Sequence, residues 1–303
     1  FIDAKNLGSL VEVDSQNLEP LTALQEKLAE KLLGNEPTTR EAAQALLPIV
    51  EQAVVLATKY DVAIANPPYM GSKGMNAALK DFAKKFYPNS KSDLFAIFME
   101  RVFNFLKENG YNAQVNMQSW MFLSSFEKMR ESLLDTKTII TMAHLGARAF
   151  GQISGEVVQT TAWVLSKYHV SKFVPSFFRL VEGKEVDKKN SLLKKDYLFA
   201  STTQSDFKKI PGSPIAYWLK AKAIDNFVIG KSLASISQAK SGMSSCNSDQ
   251  YLRHWTEISF DKAFFESDSH DSAKLSNAKW FPYNKGGGSR RWFGYNDVLI
   301  NWE

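Results

Sequence analysis

Residues 60–69 read Tyr60-Asp61-Val62-Ala63-Ile64-Ala65-Asn66-Pro67-Pro68-Tyr69. Val62 to Ala65 is a short apolar run of the kind that forms a buried strand. The two prolines fix the backbone directly after Asn66 and stop the strand there. An amide held rigidly at the carboxyl end of a parallel strand lies where open α/β sheets place their ligands. Tyr69 sets a flat apolar ring beside that amide. Such a pair can hold a planar group that carries an exocyclic amine. Asn and Pro are also ordinary turn residues, so a plain strand-terminating turn is the competing reading.

Upstream of this strand, Pro20 opens a helix with Leu21, Leu24, Leu28 and Leu32 on one face, ending at Gly34. Thr38 to Glu41 has capping-box spacing and starts a second helix to about Lys59, with a kink expected at Pro48. The pair predicts an inserted helical hairpin over about 20–59. The first segment, Phe1 to Val13, reads as loop and short strand. Downstream, Met70 to Asn76 is a glycine-containing loop that serves as a lid or as plain surface. Ser92-Asp93 caps an amphipathic helix with Phe95, Phe98, Met99, Val102, Phe103 and Leu106 inward, closed by Asn109-Gly110. That aromatic stripe is core. Strands follow at Tyr111–Met117, Thr138–Leu145 and Val157–Lys167, with a helix from Ser124 to Leu134. The alternation predicts an α/β, Rossmann-like doubly wound sheet over 1–170, its late strands forming an antiparallel edge. A connecting region covers 171–225, with a break at Pro211-Gly212-Ser213-Pro214 and a helix from Ile215 to Ala223. A smaller α+β region occupies 226–303.

With 44% hydrophobic and 23% charged residues the composition is that of a globular protein. No run reaches bilayer length and no signal-peptide pattern opens the chain, so no membrane is expected. The single cysteine, Cys246, excludes an intrachain disulfide and fits a reducing, cytoplasmic setting. Four scattered histidines, His144, His169, His254 and His270, have no metal-site spacing. Charge is uneven along the chain. Residues 1–170 hold 17 Lys+Arg against 18 Asp+Glu, a net of −1, and residues 171–303 hold 20 against 14, a net of +6. Five of seven tryptophans also lie in the second part. A basic, aromatic half beside a near-neutral half suits a polyanion-facing module joined to a catalytic one. A solvated lysine surface has the same composition.

An adenine N6 amine is a poor nucleophile because its lone pair is delocalised into the ring. The Asn66 side-chain carbonyl and the Pro67 backbone carbonyl could accept its two N–H bonds and concentrate density on nitrogen. Neither changes protonation, and no metal or covalent nucleophile is needed. Stacking on Tyr69 is worth roughly 1–3 kcal/mol, comparable with the few kcal/mol of extruding a base from a duplex.

Asn66-Pro67-Pro68-Tyr69 after Ile64-Ala65 resembles motif IV of the S-adenosylmethionine-dependent, amino-group N6-adenine DNA methyltransferases. The strings Tyr60 to Gly71, Leu145-Gly146-Ala147-Arg148-Ala149-Phe150, Gly155 to Ala162 and Lys279 to Gly287 resemble the PglX-type methyltransferases of BREX phage-defence systems. The resemblance runs over nearly the whole chain. It implies a class I methyltransferase sheet followed by the start of a target-recognition domain, and double-stranded DNA and other defence subunits as partners. By position it makes Asp3, with Ala4, the cofactor-binding segment, and Phe150 a packing partner of the target base. Arg253, Arg290 and Arg291 would fall in the target-recognition region, and Lys73 beside the base site. The family's glycine-rich cofactor motif would precede Phe1. Phe1 and Asn301-Trp302-Glu303 read as cut ends of a longer chain, a piece expected to bind cofactor weakly. Two rival readings stay open: methylation of a protein glutamine or an RNA base, and a non-catalytic DNA-binding or assembly module.

Overall fold

The computed structural model describes residues 3–149, 158–238, 243–286, 294 and 296–302. The chain divides into two compact units, Phe1–Ser232 and Leu233–Glu303. The first opens with one helical turn, α1 (Ala4–Leu7), and a 3-10 turn over Gly8–Leu10. The short strand expected within Phe1–Val13 does not form among residues 3–13. Its carbonyls are engaged elsewhere: buried Arg101 donates from Nε to Ser9 O at 3.0 Å and from Nη2 to Val11 O at 2.7 Å. Helices α2 (Leu18–Leu32) and α3 (Pro37–Ala57) then pack on each other as a hairpin, and Pro48 lies inside α3 without ending it.

The sheet collects β1 (Tyr60–Ala65), β2 (Leu106–Met117), β3 (Thr138–Gly146), β4 (Thr160–Ser166), β5 (Ser176–Arg179) and β6 (Leu198–Phe199) in the order β1-β2-β4-β3-β5-β6. The β1/β2 and β3/β5 pairs are parallel. β4 is antiparallel to both of its neighbours and lies inside the sheet, where an antiparallel edge was expected. Its sequence explains the placement. Thr160 to Ser166 is almost wholly buried, and an internal position pairs every backbone N–H and C=O that an edge would leave bare. α4 (Ala77–Phe86), α5 (Leu94–Arg101), α6 (Glu127–Thr136), α7 (Glu185–Lys194), α8 (Gln204–Phe207) and α9 (Ala221–Ile229) complete the unit. The main core joins Phe95 and Met99 of α5 to Met129 and Leu133 of α6, Met142 of β3, Trp163 of β4 and Phe177 of β5.

Two boundaries differ from expectation. α5 stops at Arg101, a 3-10 turn spans Val102–Phe105, and Leu106 already belongs to β2. Gly110 therefore sits within the strand instead of closing a helix. A Cβ there would meet Leu106 Cβ at 2.9 Å and the Asp61 carbonyl oxygen at 3.0 Å, so only glycine allows β1 this close, at the irregularity between Tyr60 and Val62. The helix expected over Ile215–Ala223 starts only at Ala221. Ile215 N–H instead donates to Met121 O at 3.0 Å, and a turn closed by Leu219 N–H on Ala216 O precedes the helix.

In the second unit β7 (Leu252–His254), β8 (Trp280–Tyr283) and β9 (Val298–Asn301) form an antiparallel sheet in the order β7-β9-β8. Short helices α10 (Ser248–Tyr251) and α11 (His270–Leu275) flank it, and Leu252, Phe281 and Ile300 form its core. Cys246 is exposed.

Candidate active site

Asn66 leaves the carboxyl end of β1 exposed, while Pro67 behind it is buried. The Tyr69 hydroxyl lies 3.5 Å from Asn66 Oδ1 and 3.4 Å from Val115 O of the neighbouring β2. Its ring stands edge-on to Phe95, with 6.1 Å between centroids. The tyrosine is thus braced at both ends, and burial pushes its hydroxyl pKa up, which keeps it a neutral donor. No donor among the described residues takes the Pro67 carbonyl. Two carbonyl acceptors, one on a side chain and one on a proline-fixed backbone, therefore sit on consecutive residues close to an aromatic ring.

The chain after Tyr69 is not a free flap. Asp93, the cap of α5, accepts Met70 N–H at 3.0 Å, Leu94 N–H donates to Met70 O at 3.0 Å, and Ser72 N–H donates to Ser92 O at 3.0 Å. Lys73 is exposed on the tight turn that Gly74 N–H closes onto Gly71 O at 2.8 Å. Met75 is buried beneath it, and Asn76 caps α4 by accepting Leu79 N–H at 2.9 Å. Asn76 also exchanges amide hydrogen bonds with Asn6, at 2.7 and 3.3 Å, which joins this segment to α1.

Asp3 heads α1 with its backbone carbonyl accepting Asn6 and Leu7 N–H, and its exposed carboxylate makes no cap bond. It borders a cavity of about 400 Å³ whose walls include Leu7, Leu10, Phe82 and Tyr87. The cavity thus has apolar and aromatic walls with two carboxylates, Asp3 and Glu12, among its lining residues. Ala4 opens onto a different cavity, of about 430 Å³, beside Pro48, Glu51 and Val55 of α3.

A second polar cluster lies at the carboxyl ends of β2 and β3. His144 is buried, with Nδ1 3.0 Å from the Tyr217 hydroxyl and Nε2 2.5 Å from Gln118 Oε1. Gln118 Nε2 donates to Gln159 Oε1, so its own Oε1 is the acceptor towards His144. The imidazole is therefore the Nε2–H tautomer, with Nδ1 accepting from Tyr217. Burial, then the nearby charges of Arg179 and Lys188, lower the His144 pKa from 6.5 to about 4. Phe122 and Trp218 pack around the ring, 6.2 Å away between centroids. The unfolded chain takes up this proton near pH 6.5 while the folded chain refuses it until about pH 4. Stability should thus fall with decreasing pH across that window and level off below it, by at most about 3 kcal/mol. Melting curves of the native protein and His144→Gln from pH 7 to 4 check this, since the variant should lack that part of the slope.

Residues 11–150 match the family described as Eco57I restriction-modification methylase. The whole chain is 53% identical over 304 residues to the adenine-specific methyltransferase BrxX of Escherichia coli O9:H4 (strain HS), covering 24% of that protein. It is 39% identical over its whole length to the adenine-specific methyltransferase PglX of Lacticaseibacillus casei (strain Zhang), covering 26%. This chain is a homologue of BrxX and PglX. It spans about a quarter of the length of either. Among solved structures, a cryoEM DrdV–DNA complex superposes with a TM-score of 0.38 at 18% identity, over 55% of this chain and 18% of the other.

For a BrxX and PglX homologue the remaining residues singled out by sequence are dispersed. Arg253 lies in β7 of the second unit, its Nη1 donating to Asp249 O at 2.7 Å and Leu252 O at 2.6 Å. Phe150, Arg290 and Arg291 lie outside the described residues. Among the described residues no His, Cys, Asp or Glu cluster is arranged to hold a metal, and no helix is long and apolar enough to cross a membrane. The Gln118–His144–Tyr217 cluster and Arg179 were missed. A lone histidine and a lone arginine on separate strands carry no spacing signal, because only the crossed strand order brings them together.

Proposed function

We propose that this chain supplies the target-adenine pocket of an S-adenosylmethionine-dependent, site-specific N6-adenine DNA methyltransferase of a phage-defence, restriction-modification type system. The observation that carries the reading is the pair of acceptors, Asn66 Oδ1 and Pro67 C=O, fixed at the end of β1 beside a Tyr69 braced by Phe95 and β2. Bound S-adenosylmethionine supplies an electrophilic methyl group. Asn66 and Pro67 accept the two N6–H bonds of an extruded adenine, hold the nitrogen lone pair towards that group and polarise it as it attacks. Tyr69 covers one face of the base and excludes water from it. Asp3 would accept from the exocyclic amine of the cofactor's adenine, with the apolar walls around Leu10 and Tyr87 covering the ring. The homology to adenine-specific methyltransferases supports this acceptor over a protein glutamine.

The test is methyl transfer from labelled S-adenosylmethionine by a protein of BrxX length that carries this chain. Duplex DNA, single-stranded RNA and release-factor protein are offered in parallel. Label should enter duplex DNA as N6-methyladenine. Label confined to RNA or protein would overturn the assignment.

A further inference from the structure

We propose that Arg179 contacts a backbone phosphate of the duplex that carries the target adenine, several base pairs away from it. The inference rests on the DNA reading above and adds a residue and a ligand group that it does not contain. Arg179 is the last residue of β5, paired in parallel register with His144 of β3. Parallel strands end on the same edge, so Arg179 stands on the carboxyl edge of the sheet from which Asn66 leaves β1. Four interstrand steps separate β1 from β5 in the order β1-β2-β4-β3-β5. At 4.7–4.9 Å each they amount to about 19 Å, within the span a bound duplex covers.

The surroundings of the guanidinium fit an anion. Its Cζ lies 5.8 Å from the ring centroid of Trp218, within cation–π range. Nε is buried without a hydrogen-bond partner, and among the described residues no carboxylate pairs with the side chain. The side chain is partly exposed, and its buried Nε is a donor left without a hydrogen bond in the free protein. A second cation lies close by. Lys188 Nζ donates to Leu145 O near the end of β3 and to Leu180 O just beyond β5, both at 2.7 Å. Both positive groups act on His144, and Glu182 and Asp187 offset part of the Lys188 charge. A planar fork of donors in a positive field is the arrangement that takes phosphate bidentately. The alternative, a guanidinium that only clamps Trp218 in place, predicts no effect on DNA binding.

The experiment is fluorescence anisotropy of a fluorescein-labelled duplex against the BrxX-length protein, with log affinity followed against log salt concentration. Arg179→Gln should make the slope shallower by about 0.9 and weaken binding alike for duplexes of different sequence. Between 50 and 200 mM salt its affinity should then fall about 3.5-fold less than that of the native protein. Arg179→Lys, which keeps the charge, should keep the slope. A native slope in Arg179→Gln, with the melting temperature unchanged, overturns the phosphate contact and leaves the DNA reading standing. A native protein that does not retain duplex at all overturns the DNA reading, and this inference with it.

Discussion

Asn66→Ala is expected to lower methyl transfer to adenine by about 10²- to 10³-fold, the loss typical of removing one preorganised polar group from a reacting centre. The change deletes the side-chain acceptor and leaves the Pro67 carbonyl in place, because the backbone there is set by the two prolines and by buried Pro67. Tyr69 keeps its contact with Val115 O and its edge-on packing against Phe95, so stacking of the base persists. Binding of duplex DNA should therefore be retained while turnover is lost. Single-turnover transfer of labelled methyl, run beside an equilibrium DNA-binding curve, separates the two. Undiminished transfer would remove Asn66 from the site.

Arg130→Met should be the most damaging change away from the site. Arg130 is 1% exposed, and its guanidinium serves carbonyls from two distant segments. Nε donates to Gly212 O at 3.1 Å and Ser213 O at 3.0 Å, and Nη1 to Trp120 O at 2.8 Å and Leu123 O at 3.0 Å. Nη2 donates to Gly212 O as well. Methionine fills a similar volume and satisfies none of these. The carbonyls of Trp120, Gly212 and Ser213 would lose this donor, while Leu123 O keeps the Phe126 N–H. The expected cost is about 3–5 kcal/mol, as for breaking a buried charge network. At roughly 2–4 °C per kcal/mol for a unit of this size, the melting temperature should fall by about 10 °C. Thermal unfolding followed by circular dichroism measures it, and a drop of only a degree or two would mean that water replaces the guanidinium. Because Arg130 fixes residues 212–213 ahead of Tyr217 and Trp218, the loss should also loosen the aromatic packing around His144.

Much of this architecture was legible in the sequence because local and tertiary signals agree. The α2–α3 hairpin, the β1 strand and the Asn66-Pro67 stop are each written in a period or in proline placement. But β1 is not the buried strand its apolar run implies: at the sheet edge Val62 is 50% and Ile64 82% exposed. Misread boundaries fall where a distant group overrides local preference. The apolar stripe of α5 continues without a break into Leu106, and nothing local reveals that Gly110 is required by the Asp61 carbonyl of another strand. The stretch before α9 has helix-forming residues, but Arg130 and Met121, some 80 to 95 positions earlier, take backbone groups at 212–215. The inward position of β4 follows from pairing with both β2 and β3, a long-range choice that periodicity leaves open. The Asn66–Tyr69 site could be read because all of its chemistry lies within four consecutive residues. The His144 cluster draws on β2, β3, the lead into β4 and the segment before α9, so it becomes visible only once the chain is folded.

The paired amides of Asn6 and Asn76 have a thermodynamic meaning. Asn6 sits three residues beyond Asp3, and Asn76 terminates the segment that starts at Tyr69. On the proposed assignment, one end of this brace is ordered by the cofactor's adenine and the other by the extruded base. A part held by two ligands makes their affinities interdependent, and the dependence is symmetrical: the factor by which cofactor tightens DNA equals the factor by which DNA tightens cofactor. Four amide atoms thus give the site a way to favour having both ligands together over having either one alone.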